Sequence, residues 1–137
     1  MARYTSLHLP IISVAVLAAA SLAAVSARAA DDPAKEVATA ATHAGLATAA
    51  KDMKSVQMHL HHTVNCLVGP GGAGFDAKEA NPCKDQGNGA IPDTKDAGKL
   101  AALRDALTKV NDGLKQTDMA TAQKDASAAQ DLIKKAM

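Results

Sequence analysis

The sequence predicts an all-α fold, an antiparallel four-helix bundle made of two helical hairpins joined by a long loop. Three features predict it. Apolar residues recur at steps of three and four in two stretches, turn-forming residues are concentrated between those stretches, and the apolar stripes are built largely of alanine, with only 1% aromatic residues in a chain that is 47% hydrophobic.

The N-terminus comes before the fold. Arg3 precedes an apolar run from Leu9 to Val25, followed by the small-residue site Ala27-Arg28-Ala29. This is the three-part pattern of a secretory signal peptide. Residues 1–29 are therefore expected to be cleaved, leaving residues 30–137 as one small domain in the periplasm or outside the cell. No later segment approaches the roughly 20 apolar residues that span a bilayer, so stable membrane insertion is not expected.

The first helix starts near Pro33. Asp31 or Asp32 can cap it, proline suits the first helical position, and Glu36 in the first turn faces the positive end of the helix dipole. Val37, Ala41 and Ala44 form its apolar stripe. Met53, Val56, Leu60, Val64 and Leu67 form a second stripe in a different register, so a break is expected near Ala50-Lys51-Asp52, with Asp52 capping the second helix. The alternative is one long helix over 33–68 and a three-helix bundle.

Residues 69–96 carry Gly69-Pro70-Gly71-Gly72, Asn81-Pro82, Gly87-Asn88-Gly89 and Ile91-Pro92-Asp93, a density of breakers that reads as loop. Helix resumes at Ala97. Leu100, Leu103, Leu107, Val110 and Leu114 share one face, and Met119, Ala122, Ala126, Ala129, Ile133 and Ala136 share another. The change of register places a break at Lys115-Gln116-Thr117-Asp118, with Thr117 or Asp118 as cap. Asp52-Met53 and Asp118-Met119 hold equivalent places, as do Gln57 and Gln123, which suggests that the hairpin is repeated.

Stripes this rich in alanine bury little area per layer, so a small exported domain of this kind needs a disulfide, a metal or self-association. Cys66 and Cys83 are the only cysteines. In an oxidising compartment they are expected to pair, closing a loop of about 16 residues that contributes about 3 kcal/mol through chain entropy. There is no Cys-x-x-Cys or Cys-x-x-Cys-His, so neither thioredoxin-like chemistry nor haem attachment is expected.

Histidine is the other concentrated residue. His43, His59, His61 and His62 remain after the leader, three of them within Met58-His59-Leu60-His61-His62. With Leu60 at the centre of the buried stripe and 100° per residue, Met58 lies at about 160°, His62 at about 200°, Cys66 at about 240° and His59 at about 260°, while His61 points away at about 100°. His59/His62 and Met58/His62 therefore have spacings that can bring two side chains to one ion. Imidazole suits copper, zinc and nickel, and thioether favours copper. His59, His62 and Met58 are the candidate ligands, with His43 joining only if the hairpin turns its polar edges together. Neutral imidazole is the ligand, so binding is expected to weaken below about pH 6. The plain alternative is a solvated face that covers the disulfide loop.

Other functions lack their signatures. The formal charge is +1, and loss of Arg3 and Arg28 with the leader takes it to −1, so no basic surface for nucleic acid is expected. Asp76, Glu79, Asp85, Asp93 and Asp96 do not follow a calcium-loop pattern, and Gly87-Asn88-Gly89 lacks the spacing and lysine of a nucleotide loop. No nucleophile, base and orienter can be assembled, so an enzyme is not expected. At 28 residues the segment 69–96 is long for a structureless connection, and long loops are commonly functional. A protein-interaction module using this disulfide-pinned loop is the second functional reading.

Through Ala38-Thr39-Ala40-Ala41-Thr42-His43-Ala44-Gly45, Met58 to His62 and the alanine-rich stretch from Gly113 to Ala136, the chain resembles the small periplasmic metal-binding helical bundles of ammonia-oxidising bacteria. The resemblance implies a four-helix bundle with surface histidines that binds several divalent metals, notably copper. Here the second hairpin has no histidine, and two cysteines and a long loop are added, which reduces the expected capacity to one site.

Overall fold

A computed structural model describes residues 31–137; the predicted signal peptide, residues 1–29, lies outside the described residues. The described chain is all-α: α1 (Pro33–Ala49), α2 (Met53–Val68), α3 (Ala90–Asp93), α4 (Ala97–Lys115) and α5 (Met119–Lys134), with no strand among the described residues. The single-helix alternative for 33–68 is corrected. The chain breaks at Ala50 to Asp52, where the apolar register changes.

Each long helix starts on an aspartate whose carboxylate accepts a backbone amide: Asp32 from Lys35 at 3.0 Å, and Asp52 from Ser55, Asp96 from Lys99 and Asp118 from Thr121 at 2.8 Å each. These caps satisfy amides that have no partner within the helix. Helix α2 ends at Gly69, whose φ of 67° suits glycine; a Cβ there would also run into the Asn88 carbonyl oxygen.

Helix α1 packs on α2 and α5, and α4 packs on α5 and α2. The short α3 touches α1, α2 and α4, filling the end where α1 begins and α2 finishes. Ten of the 21 buried hydrophobic residues are alanines, and the large ones are few: Leu60, Leu67, Leu103 and Ile133, each 0% exposed. Helices with such small contact residues approach closely, and glutamine side chains fill part of the remaining space. Gln123 Nε2 donates to the carbonyls of Thr48 and Ala50 at 2.9 Å each, closing the end of α1, and Gln130 Nε2 donates to Ala41 at 3.2 Å. No described helix is long and apolar enough to cross a membrane.

The connection from 69 to 96 is held down at three places. Cys66 and Cys83 are disulfide-bonded. Asn65, fully buried, donates to the carbonyls of Asp76 and Ala80 at 2.9 and 3.0 Å and accepts the Asp76 amide at 2.8 Å. Glu36 accepts the Gly89 amide at 2.8 Å. Glu36 is the expected acidic residue of the first turn, and it is 0% exposed, because it heads the buried line continued by Ala40, Ala44 and Ala47. Burial pushes its pKa up from 4.5 to about 7 against the opposing Gly89 hydrogen bond, with Asp93 and then Asp31 adding to the rise.

Candidate metal centre

The three-residue connection Ala50 to Asp52 folds α1 back beside α2, and this brings His43 to the histidines of α2. The ring centroids are 5.6 Å apart for His43 and His59, 5.1 Å for His43 and His62, and 5.7 Å for His59 and His62. His43 Nδ1 and His59 Nδ1 lie 3.4 Å apart, and one nitrogen from each of the three rings falls within 4.8 Å of the others. Two imidazole nitrogens at about 2.0–2.1 Å from a tetrahedral ion stand about 3.3 Å apart, so the first pair already has ligand spacing and the third ring needs a shift of at most about 1.5 Å. These three histidines could hold a metal ion.

All three rings are partly buried. Burial, followed by the neighbouring His62 and His59, pushes the His43 pKa down from 6.5 to about 4. His62 is also lowered, first by burial and then by His59, while Glu79 opposes the shift. Three imidazoles packed this closely resist protonation, because each added charge would be partly desolvated and would repel its neighbours. Resistance to protonation is what a metal-ligating imidazole needs.

The other predicted residues divide. His61 stands apart, as its angular position requires, with Nδ1 3.6 Å from Asp76 Oδ2 in the loop. Met58 lies one residue before His59 and is 36% exposed, at the outer edge of the helix. Glu79 is the residue that sequence reasoning missed. It is one of the loop carboxylates that follow no calcium-loop pattern, and its Oε2 lies 3.8 Å from His62 Nε2. The available signal is the Cys66–Cys83 pairing, which ties Cys83 to the turn after His62 and so keeps the residues just before Cys83 in its neighbourhood.

No protein-family model matches the chain, and no curated protein or solved structure matches it. The functional reading therefore rests on the geometry of the site.

Proposed function

We propose that this chain is an exported, non-enzymatic protein that binds one transition-metal ion, copper ahead of zinc or nickel, through His43, His59 and His62, with Met58 assisting. The observation that carries this reading is the convergence of three imidazoles, two of them with nitrogens 3.4 Å apart. Its architecture is an antiparallel four-helix bundle of two hairpins. The three-residue connections 50–52 and 116–118, each between helices in contact, support that arrangement. Export to the periplasm or beyond rests on the leader pattern before Ala30 and fits the disulfide. The resemblance to periplasmic metal-binding bundles points the same way. Thioether and imidazole together favour copper, especially Cu(I).

Titration calorimetry and equilibrium dialysis with Cu(II) and Zn(II), and with Cu(I) under reductant-compatible conditions, test the reading. The wild type is expected to bind one equivalent, and His43→Ala/His59→Ala/His62→Ala none. Equal and negligible binding by both overturns it.

A second reading has a specific observation behind it. A cleft of about 670 Å³ lies at the loop, bordered by Val68, Pro70, Ile91, Pro92 and Leu107 with Arg104 at its edge, a size within the range of ligand pockets. As a recognition surface, the disulfide-pinned loop 69–96 would lose partner capture in Cys66→Ala/Cys83→Ala and keep it when the histidines are removed.

A further inference from the structure

The two ring nitrogens of His62 have unlike surroundings. Nε2 is directed toward Glu79, whose Oε2 lies 3.8 Å away, and the His62 side chain is only 12% exposed. Nδ1 is buried and has no hydrogen-bond partner among the described residues. A buried, unpartnered ring nitrogen is costly unless something else takes its lone pair. The His62 ring lies 5.1 Å from that of His43 and 5.7 Å from that of His59, and one nitrogen of each ring falls within 4.8 Å of the others, so an ion held by those histidines is the available acceptor for this lone pair.

Glu79 is also held more firmly than its place in a loop suggests. Its own carbonyl and the flanking Asp76 and Ala80 carbonyls receive hydrogen bonds from the buried Asn65 side chain, at 3.4, 2.9 and 3.0 Å. The Cys66–Cys83 bond fixes the chain four residues further on. Asn65 and Cys66 are the third and fourth residues after His62 on α2, so the helix that carries the imidazole also anchors the segment that carries its carboxylate.

We propose that Glu79 is the positioning residue of the metal centre: its carboxylate, 3.8 Å from Nε2 and so at ion-pair rather than hydrogen-bond distance, electrostatically favours the His62 tautomer that carries its proton on Nε2, leaving the Nδ1 lone pair for the ion shared with His43 and His59. This rests on the metal-binding reading and adds the His62 donor atom, the residue that selects it and the reason for the tethered loop. Carboxylates acting through a ligating histidine fix its tautomer and ring orientation, and their removal typically weakens metal binding 10–100-fold. Glu79 would act through His62 and not as a ligand of the ion.

The test has one metal-free arm and one metal arm, both on the disulfide-bonded protein. In the first, the ¹⁵N shifts of the His62 ring are recorded by NMR at pH 7.5 in chelator-treated wild type, Glu79→Gln and Glu79→Ala. Wild type is expected to show protonated Nε2 and unprotonated Nδ1. Glu79→Ala is expected to show a mixture of tautomers, and Glu79→Gln, which keeps an acceptor oxygen but not the charge, to fall between the two. In the second arm, Zn(II) and Cu(II) affinities are measured by competition with a chromophoric chelator. The expected loss is 10–100-fold in Glu79→Ala and smaller in Glu79→Gln. Glu79 has a 36% exposed side chain, so these variants leave the core intact, and matching thermal melts check this. An Nδ1-protonated His62 in the wild type, or a Glu79→Ala variant with unchanged tautomer and affinity, overturns the role of Glu79. A wild type with the expected tautomer but no metal binding overturns the metal reading instead.

Discussion

Replacing Glu36 with glutamine removes a buried charge without removing the side chain's hydrogen bonds, so its effect on stability should depend on pH in a calculable way. Glu36 is 0% exposed and pairs with the Gly89 amide, and its carboxyl group meets Asp93 on α3. Burial, reinforced by Asp93 and Asp31, raises its pKa from 4.5 to about 7. The folded chain therefore holds this proton more tightly than the unfolded chain. The resulting stability is complete below pH 4.5 and is lost as pH rises through 7. At about 1.36 kcal/mol per pH unit the full loss is about 3 kcal/mol, of which about 2.5 kcal/mol falls between pH 5 and pH 8. Wild-type protein alone will not reveal it. His43, lowered from 6.5 to about 4, loses stability in the opposite direction as the solution is acidified, and the two slopes nearly cancel between pH 5 and pH 7. The difference between wild type and Glu36→Gln isolates the carboxyl. The glutamine oxygen replaces the acceptor for Gly89, and its NH₂ takes the place of Oε2, which is buried without a hydrogen-bond partner among the described residues. Urea unfolding of both proteins in chelator at pH 5, 6, 7 and 8 should show the variant gaining about 2.5 kcal/mol on wild type across the series, or about 10 °C in melting temperature. A constant offset between the two proteins would refute the reasoning, because it would mean that Glu36 titrates alike in the folded and unfolded chains.

Three other perturbations have defined outcomes. Cys66→Ala/Cys83→Ala opens a loop with a sequence separation of 17 and should cost about 3 kcal/mol in urea unfolding, besides weakening metal binding through the freed Glu79 segment. Leu60→Ala removes one of the few large buried side chains, 0% exposed and facing Gly113, and should cost about 2–5 kcal/mol, measured by thermal melts at pH 6. His43→Ala should lower metal affinity more than 10-fold by calorimetry. Because the lowered pKa of His43 costs stability as pH falls from 6.5 toward 4, the variant's unfolding free energy should fall less than wild type's over that range, by about 1–2 kcal/mol.

The helices were legible because their signals are local. Asp52 and Asp118 cap the helices whose register changes predicted them, and His61 points away from the cluster because its angular position on α2 is fixed by helix geometry. The approach of His43 to His59 and His62 was not legible to the same degree, since it depends on how α1 is rotated about its axis against α2, and a pattern within one helix does not set that. The burial of Glu36 was not legible for a related reason. A glutamate in a first turn suits the dipole whether it is exposed or buried, and the steps 36, 40, 44, 47 that mark its helical face run through Ala40, Ala44 and Ala47, all 0% exposed. Alanine is small enough to sit on either face, so the Val37, Ala41, Ala44 line and the Glu36 line could not be ranked without the neighbouring helices.

The scarcity of large residues and the histidine cluster belong to one design. Helix axes separate by 8–10 Å depending on the side chains between them, and alanine allows the near end of that range. Imidazole reaches only a few ångströms from its Cα, so nitrogens from two helices meet at 3.4 Å only if those helices are close. Larger residues at Ala40, Ala44 and Ala47 would deepen the core and push α1 outward, carrying His43 away from His59. The thin core is thus the condition for a site shared between α1 and α2. The stability it forgoes is supplied in part by the Cys66–Cys83 bond, and that bond also holds the loop bearing Glu79 against His62. One covalent link therefore offsets the weakness that close packing creates and orders the surroundings of the histidine cluster that close packing permits.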